Sequence, residues 1–222
     1  MVFKSLREVN SLEQIQQLKT GTTTVGIVCK DGVVLAAEKK ATLGYLVASK
    51  DDVKIVKITP HIAMTQAGAV GDLQTLARYL KAECALYELR EKRKISVNAA
   101  ATLLANIMYG GRWFPYLVQI ILAGYDEKGP QLFILHPDGS KLEEKKFFST
   151  GSGSPIAFGV LEVFYKDNIS IEEAKKLAVK AVKAAIERDI ASGGKGIDVA
   201  VIDKDNFKML SEEEVQKLLK EN

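Results

Sequence analysis

The segment Lys19-Thr20-Gly21-Thr22-Thr23-Thr24-Val25-Gly26-Ile27 places three threonine hydroxyls directly behind a glycine and in front of an apolar strand. A threonine hydroxyl becomes a nucleophile only when a base takes its proton. The two histidines, His61 and His136, both stand beside prolines in turn-like settings. A Ser-His-Asp triad or a histidine zinc site is therefore poorly supported, and a hydrolase with this sequence needs another base.

Asp189 is a charged residue in a position that should face the protein interior. It continues the apolar stripe of the helix predicted over 170–190 into the last turn, where the helix dipole disfavours an anion. Charges on inner faces need partners, so we expect Asp189 to have a function. The alternative is a structural role, in which Asp189 accepts N–H groups of the Ser192-Gly193-Gly194 turn.

Lys54 raises the same question. In the strand that it begins, alternation places Lys54 on one face with Val56 and Ile58, so its ammonium is a candidate to point inward. An inward ammonium needs a nearby carboxylate. A lysine that reaches solvent from the strand end is an equal alternative.

Glu38 ends the second strand and is the candidate partner of Lys54. A simple Asp31-Gly32 turn pairs position 25 with 38, which places Glu38 on a face with Val25 and Thr23 rather than with Thr22. On alternation alone, Glu38 is therefore predicted to be a solvated strand end.

Two glycine-containing turns precede predicted helices. The segment 149–155, Ser-Thr-Gly-Ser-Gly-Ser-Pro, lacks the patterns of phosphate-binding loops, so nucleotide binding is disfavoured. A tight turn that presents hydroxyls into a cleft is favoured, with simple helix capping as the alternative. The segment 68–71 joins a strand to a helix and exposes backbone N–H groups near the helix N-terminus.

Hydrophobic periodicity predicts strands in blocks and helices in blocks. Asp31-Gly32, a strong hairpin signal, joins strands over 23–30 and 33–38. The other predicted strands are 45–50, 54–59, 62–67, 117–126, 131–136, 142–149 and 198–203, with a short pairing segment at 207–210. The predicted helices are 71–92, 96–108, 155–165, 170–190 and one at the C-terminus. This order favours antiparallel sheets layered against helices, an α+β fold.

Composition limits the classes of protein. A chain of 222 residues suits one large domain. Its 31 basic and 28 acidic residues give a net charge of +3, too balanced to imply nucleic acid or an anionic membrane as partner. No run approaches the roughly 20 apolar residues of a membrane span, and residues 1–21 lack the apolar region of a secretory signal. Cys29 and Cys84 have no paired spacing and are predicted to be buried thiols in a cytoplasmic protein.

Taken together, these residues make the chain similar to proteasome β subunits of archaeal type, in the N-terminal-nucleophile hydrolase superfamily. The matching segments occur in order: TTTVGI (22–27), KDGVVLAAEK (30–39), Lys54, AGAVGD (67–72), STGSGSP (149–155), GVLE (159–162), RDIASGG (188–194) and IDVAVI (197–202). Each motif is weak by itself, and the ordered set is specific. The resemblance implies a four-layer αββα sandwich, in which two antiparallel sheets pack between helical layers.

The resemblance also implies a zymogen. Residues 1–21 would be a propeptide removed by autocatalytic cleavage between Gly21 and Thr22, which leaves 22–222 as one domain. Thr22 would then be the nucleophile and its own α-amine the base, because an amide nitrogen cannot accept a proton whereas a free α-amine has a pKa of about 7.7–8.0. Gly21 suits cleavage because a residue without Cβ tolerates a strained backbone. Thr23 and Thr24 need only be good strand residues.

The remaining catalytic roles follow from the resemblance as well. Lys54 would lower the proton affinity of Thr22, Glu38 would orient Lys54, and the N–H of Gly68 would form the oxyanion hole. The Thr22 amine and a nucleophilic water would be held by Asp189, Ser152 and Ser192. No metal or cofactor is implied.

The resemblance places the substrate pocket at Ala41, Thr42, Val56, Gln66, Val70 and Gln74. None of these six is charged, so we predict hydrolysis after neutral or apolar residues. Lys40 stands where family members often carry arginine, which puts a bidentate ion pair at that position in doubt.

The implied partners are seven-membered β rings of this chain, rings of α subunits, a regulatory ATPase ring and unfolded polypeptide substrates. Three alternatives stay open. A non-catalytic or unprocessed ring subunit usually lacks the Thr, Lys and Asp set that is present here. A free-standing amidase of the same superfamily is less compatible with the predicted helices and the GSGSP segment, and the bacterial two-component relative typically has shorter chains.

Overall fold

Two five-stranded antiparallel sheets lie face to face between two layers of helices in the computed structural model, which describes residues 21–221. The first sheet contains β1 (Thr24–Val28), β2 (Gly32–Glu38), β10 (Phe147–Thr150), β11 (Ile197–Asp203) and β12 (Asn206–Met209). Its strand order is β10-β1-β2-β11-β12. The predicted propeptide up to residue 20 lies outside the described residues.

The second sheet has its strands in chain order. It contains β5 (Ile55–Thr59), β6 (Ile62–Gly68), β7 (Val118–Asp126), β8 (Gly129–Leu135) and β9 (Lys141–Glu144). A separate two-stranded hairpin of β3 (Ala41–Leu43) and β4 (Leu46–Ser49) stands between β2 and β5 in the chain.

Five helices form the outer layers of the described chain. They are α1 (Val70–Glu91), α2 (Val97–Gly110), α3 (Ser154–Phe164), α4 (Ile171–Arg188) and α5 (Glu212–Lys220). The apolar faces of α3, α4 and α5 pack on the first sheet, and those of α1 and α2 pack on the second. No helix within residues 21–221 is both long enough and apolar enough to cross a membrane.

The first sheet is covered on both faces, and this explains why β2 reads as an unbroken apolar run. Val34 and Ala36 contact the core beneath α3, α4 and α5, whereas Val33, Leu35 and Ala37 contact the core between the two sheets. A strand with water on one face would alternate apolar and polar residues. The α+β class and the four-layer αββα arrangement are both confirmed.

The strand predicted over 142–149 is wrong in one respect, because it is two strands in different sheets. β9 pairs with β8 in the second sheet, and β10 pairs with β1 in the first. The chain crosses between the sheets at Lys145-Lys146, where the Lys146 carbonyl accepts the N–H of Val28 at 2.7 Å. Four consecutive charged residues, Glu143 to Lys146, were the available signal.

The turn of the first hairpin lies at Lys30-Asp31, one residue earlier in the chain than its sequence suggests. Val25 pairs with Ala36 rather than with Glu38, because the turn is closed by the Cys29 N–H, which donates to the Gly32 carbonyl at 2.8 Å. The shift is an even number of residues, so Glu38 keeps the predicted face. It lies opposite Thr23, whose carbonyl accepts the Glu38 N–H at 3.3 Å.

Candidate active site

Thr22 lies just before β1 at the mouth of a cavity of about 460 Å³. Its side chain is 4% exposed. The Thr22 hydroxyl Oγ1 donates to the carbonyl oxygen of Gly21 at 2.6 Å, and the Thr22 N–H donates to Ser152 Oγ at 3.2 Å. The hydroxyl therefore lies directly beside the peptide group that precedes it.

Gly21 is held where no side chain fits. A Cβ at this position would come within 1.7 Å of the Ala191 Cβ and 2.8 Å of the Ala191 Cα. The Gly21 N–H donates to Thr42 Oγ1 at 2.9 Å, which fixes the other side of the residue. Close backbone approach is a general reason for glycine, and here it accounts for Gly21 more directly than backbone strain does.

Asp189 joins the two serines that the sequence grouped with it. Its carboxylate oxygen Oδ2 accepts from Ser152 Oγ at 2.6 Å and from Ser192 Oγ at 2.7 Å, and Oδ1 accepts the Ala191 N–H at 3.3 Å. Asp189 is not inside the last helical turn as predicted. It is the C-cap of α4 with φ −96° and ψ 114°, so the chain leaves the helix at this residue and the three donors compensate the carboxylate near the helix C-terminus.

The prediction that Thr23 and Thr24 need only be good strand residues is wrong, because both hydroxyls have specific partners. Thr23 Oγ1 lies 2.7 Å from Ser192 Oγ, and thus Ser192 reaches Thr23 rather than Thr22. Thr24 Oγ1 lies 2.9 Å from Thr65 Oγ1 and 2.7 Å from Thr150 Oγ1. A buried hydroxyl costs free energy unless it is hydrogen-bonded. The contact between Thr24 and Thr65 also joins the two sheets.

Glu38 is fully buried, and the prediction of a solvated strand end is wrong. Its Oε1 accepts the Thr23 N–H at 3.3 Å, and its Oε2 accepts the N–H groups of Lys40 at 2.7 Å and Gly193 at 2.9 Å. Burial raises the pKa of the Glu38 carboxyl above its ordinary value, against the charge of Lys54 and the three backbone donors, which lower it. Tertiary contacts, not strand alternation, decide this environment.

The Lys54 ammonium points inward, and the side chain is only 3% exposed. Its Nζ donates to the Lys40 carbonyl at 2.7 Å and to Asp52 Oδ2 at 2.9 Å. The nearest oxygen of Glu38 lies at 3.7 Å, within ion-pair distance but beyond a hydrogen bond. The expected Glu38 partner is present, and Asp52, which the sequence reasoning missed, is closer.

Gly68 ends β6 at the cavity and is a further position where only glycine fits. Its φ is +132°, and a Cβ would meet the Leu117 carbonyl oxygen at 2.1 Å. Successive N–H groups of a strand point to alternate sides. The Gln66 N–H donates to the Lys54 carbonyl at 2.9 Å, so the Gly68 N–H, two residues on, points to the same side, toward the cavity that Gly68 lines.

All six predicted pocket residues line this cavity: Ala41, Thr42, Val56, Gln66, Val70 and Gln74. The lining is not free of charge, however, since it also includes Asp51, Asp52, Lys54 and Arg78. Asp51 pairs with Lys39 at 2.6 Å and Asp52 pairs with Lys54. The acidic members of the wall are therefore neutralised by neighbouring lysines.

The remaining residues with reactive side chains have structural settings. His61 is buried, its Nδ1 lies 3.1 Å from Thr59 Oγ1, and its Nε2 lies 2.8 Å from the Ile95 carbonyl. Cys29 and Cys84 are free and buried as predicted, and burial raises the pKa of their thiols to about 12 and about 11. Over residues 21–221, no three His, Cys, Asp or Glu side chains are grouped to hold a metal ion.

Comparison with known proteins gives the family. The family model described as proteasome subunit matches residues 18–202. The chain belongs to the proteasome subunit family. A proteasome subunit beta from Methanocaldococcus vulcanius is 56% identical over 200 residues, 90% of this chain and 89% of the relative. Proteins of the same name from Methanothermobacter thermautotrophicus and Archaeoglobus profundus are each 52% identical, over 89% and 90% of this chain and 93% and 92% of theirs.

Among proteasome subunits this chain is of the archaeal β type, as its sequence motifs predicted. The structure brings the predicted catalytic residues together around Thr22, directly for Ser152 and through Ser152 for Asp189. Ser192 is one step further away, because it contacts Asp189 and Thr23. Lys54 and Gly68 share the cavity of Thr22, and Glu38 lies behind Lys54.

Proposed function

We propose that this chain is a threonine-type endopeptidase, the catalytic β subunit of a proteasome core, with residues 22–222 as its working domain. Similarity to proteins named proteasome subunit beta supports a peptidase activity and assembly into the core with other subunits. The observation that carries the threonine type is the position of Thr22, whose hydroxyl lies 2.6 Å from the Gly21 carbonyl oxygen inside the cavity that contains Lys54.

The first proposed step is self-cleavage. Thr22 Oγ1 attacks the Gly21 carbonyl carbon, the Gly21–Thr22 C–N bond breaks, and the hydroxyl proton is transferred to the Thr22 nitrogen, which becomes an amine. Gly21 is then an ester on Thr22 Oγ1. Water hydrolyses this ester, which releases residues up to Gly21 as a carboxylic acid and restores the hydroxyl. The contact between Ser152 and the Thr22 N–H supports this step, because it holds the nitrogen that must become the leaving group.

The second proposed reaction is hydrolysis of substrate peptides. The new α-amine takes the Thr22 hydroxyl proton while Oγ1 attacks a substrate carbonyl carbon, and the departing amine leaves with a proton. Water then cleaves the ester and frees the acid product. The α-amine is suited to be the base because its reference pKa is about 7.7–8.0.

The surrounding groups have separate proposed tasks. The Lys54 ammonium stabilises negative charge that develops on Thr22 Oγ1, and Glu38 orients Lys54. The Gly68 N–H donates to the oxyanion of the tetrahedral intermediate. Ser152 and Asp189 hold the α-amine, and Ser192 supports Asp189 at 2.7 Å.

We propose a preference for substrates with a neutral or apolar residue before the cleaved bond. The six uncharged lining residues support it, together with the neutralisation of Asp51 by Lys39 and of Asp52 by Lys54. Fluorogenic peptides that end in Leu or Tyr, in Arg, and in Glu compare the classes directly. Dominant cleavage after Arg or Glu would show that the exposed charges of the wall select the substrate.

The proposed setting is the cytoplasm, in seven-membered rings of this chain stacked with α-subunit rings and fed with unfolded polypeptides by a regulatory ATPase ring. The ion-paired and apolar walls of the site suit an extended peptide rather than a metabolite. No nucleic acid, membrane, metal or cofactor takes part in the proposed chemistry.

Substitution of Thr22 tests the proposal. The full-length chain is co-expressed with an α-type subunit as wild type, Thr22→Ala and Thr22→Ser, and with Thr102→Ala as a control at an exposed threonine of α2. Intact mass should show that wild-type chains begin at Thr22, whereas Thr22→Ala chains still contain Gly21. Of these two proteins, only the wild type should have peptidase activity. Active wild-type particles whose chains still begin at Met1 would contradict the mechanism and favour an unprocessed structural subunit with activity elsewhere.

A further inference from the structure

Lys54 is held more directly by Asp52 than by Glu38. The Asp52 carboxylate accepts a hydrogen bond from Lys54 Nζ at 2.9 Å, whereas the nearest Glu38 oxygen is 3.7 Å away. Glu38 is also occupied elsewhere, because its two oxygens accept three backbone N–H groups. Asp52 therefore makes the charge-assisted hydrogen bond that fixes the direction of the ammonium.

An ammonium has three N–H bonds, and their directions are not independent. The described hydrogen bonds of Lys54 use two of them, one to the Lys40 carbonyl at 2.7 Å and one to Asp52. Once these two are fixed, tetrahedral geometry fixes the direction of the third. Lys54 and Thr22 line the same cavity, so the two fixed bonds decide how the third N–H is directed relative to Thr22.

The backbone that carries Asp52 is anchored on both sides. The Asp52 N–H donates to the Lys39 carbonyl at 2.9 Å, and the Lys50 carbonyl accepts the Lys195 N–H at 2.8 Å. Asp51 adds ion pairs with Lys39 at 2.6 Å and Lys195 at 3.7 Å. The segment 50–52 is thus fixed against the end of the first sheet, and a residue on it is suited to orient another side chain.

We infer that Asp52 is a positioning residue of the proposed threonine peptidase, which sets the direction of the Lys54 ammonium toward Thr22 while Glu38 supplies a buried negative charge behind it. Asp52 lines the cavity, and its proposed role is exercised through Lys54, with which its carboxylate is hydrogen-bonded. This inference rests on the proposed function of Thr22 and Lys54, and it adds a second carboxylate to the site.

The test compares Asp52→Asn, Asp52→Glu and Asp52→Ala with wild type in full-length chains assembled with an α-type subunit. Asp167→Asn is the matched control, because Asp167 is an exposed aspartate that pairs with Lys146 at 3.1 Å. Rates are divided by the number of sites that an electrophilic peptide acylates, so that poor assembly or slow processing does not lower the apparent turnover.

We expect Asp52→Asn and Asp52→Ala to lower kcat per acylated site about 10-fold, the usual effect of one hydrogen bond to a charged group that is partly open to solvent. KM should change less than twofold, because the Asp52 carboxylate is engaged by Lys54. Asp52→Glu should recover part of the loss, since it restores the charge, and Asp167→Asn should match wild type.

A kcat within twofold of wild type for both Asp52→Asn and Asp52→Ala overturns the inference. So does a rise in KM with unchanged kcat, or a glutamate variant no better than asparagine. If one of the two neutral variants does not assemble, the other decides. Failure of the proposed function is recognised separately, because Thr22→Ala would then retain full peptidase activity.

Discussion

Gly21 is the residue whose environment is least tolerant of change. Its place against Ala191 leaves no space for a methyl group, since the two Cβ atoms would be 1.7 Å apart. Ser152 Oγ would be 3.1 Å from the same added carbon. The peptide group that Thr22 is proposed to attack is therefore positioned by close packing of the 21 and 191 backbones.

Substitution of Gly21 by alanine should slow self-cleavage strongly, because the added methyl group displaces the Gly21 carbonyl from the Thr22 hydroxyl. We expect chains that begin at Thr22 to appear at least 10-fold more slowly. Intact mass spectrometry at intervals during assembly measures this rate. Gly159→Ala is the control, since nothing lies within 4 Å of its added Cβ in α3. Normal processing of Gly21→Ala would show that the backbones at 21 and 191 can move apart without displacing the Gly21 carbonyl from the Thr22 hydroxyl.

Glu38 is the buried acid of the site, and its raised pKa has a defined sign for stability. In the window between the ordinary pKa of about 4.5 and the raised value, the native chain binds a proton that the unfolded chain does not. The contribution of Glu38 to the free energy of unfolding therefore rises as the pH falls through this window.

A comparison of Glu38→Gln with its parent tests this sign. Both proteins carry Thr22→Ala, which prevents processing, and the parent keeps Glu38. The difference in melting temperature, parent minus Glu38→Gln, should increase as the pH is lowered from 7 to 5. Glu173→Gln should give a nearly constant difference over the same range, because hydrogen bonds from Ser170 lower the pKa of Glu173 and its protonation therefore lies at lower pH. Parallel curves for Glu38→Gln and its parent would mean that Glu38 is not protonated in the native state over this range.

At the scale of elements, the site is assembled from the ends of secondary structures. Thr22 precedes β1, Glu38 ends β2, Lys54 precedes β5 and Gly68 ends β6. Asp189 follows α4, whose other end begins with a capping box between Ser170 and Glu173. Stable strands and helices thus hold site residues that lie at their ends or just outside them.

The cap of α4 should affect stability without affecting catalysis. Ser170→Ala removes the hydroxyl that accepts the Glu173 N–H at 3.3 Å, which should cost about 1 kcal/mol and lower the melting temperature by roughly 2–4 °C. The kcat should stay within twofold of wild type, because Asp189 is fixed by its own contacts with Ser152 and Ser192. Ser140→Ala, at an exposed loop serine, is the control. A lower kcat at unchanged melting temperature would show that the helix start is coupled to the site.

At the scale of the whole molecule, the β3–β4 hairpin exposes apolar side chains beside the cavity. Tyr45 is 99% exposed and Leu46 is 67% exposed in the isolated chain. Contiguous exposed apolar surface usually marks an interaction site. A chain that assembles with other subunits is expected to cover such a surface.

Assembly should therefore depend on the hairpin. We expect the wild-type chain, of 24.3 kDa, to run with an α-type subunit as a particle many times that mass in native mass spectrometry. A Tyr45→Ser, Leu46→Ser double variant should shift most of the chain to lower mass, while Leu142→Ser, at an exposed leucine of β9, should shift less. A monomeric wild-type chain that retains peptidase activity would instead favour a free-standing amidase.

The sequence by itself determined the order of strands and helices, the α+β class, the family and the types of residue in the site. These follow from local patterns: periodicity, the capping box of α4 and the ordered motifs. The pattern also singled out Asp189 and Lys54, because a charge on an apolar face is visible without a structure.

Only the tertiary structure decided how these residues meet. The burial of Glu38, the closer approach of Asp52 to Lys54, the hydroxyl contacts of Thr23 and Thr24 and the packing of Gly21 on Ala191 all join segments that are distant in the chain or lie at strand ends. The switch of the chain from β9 to β10 between the two sheets is of the same kind. Alternation describes which face of a strand a residue occupies, but it contains no information about which backbone lies across from that face.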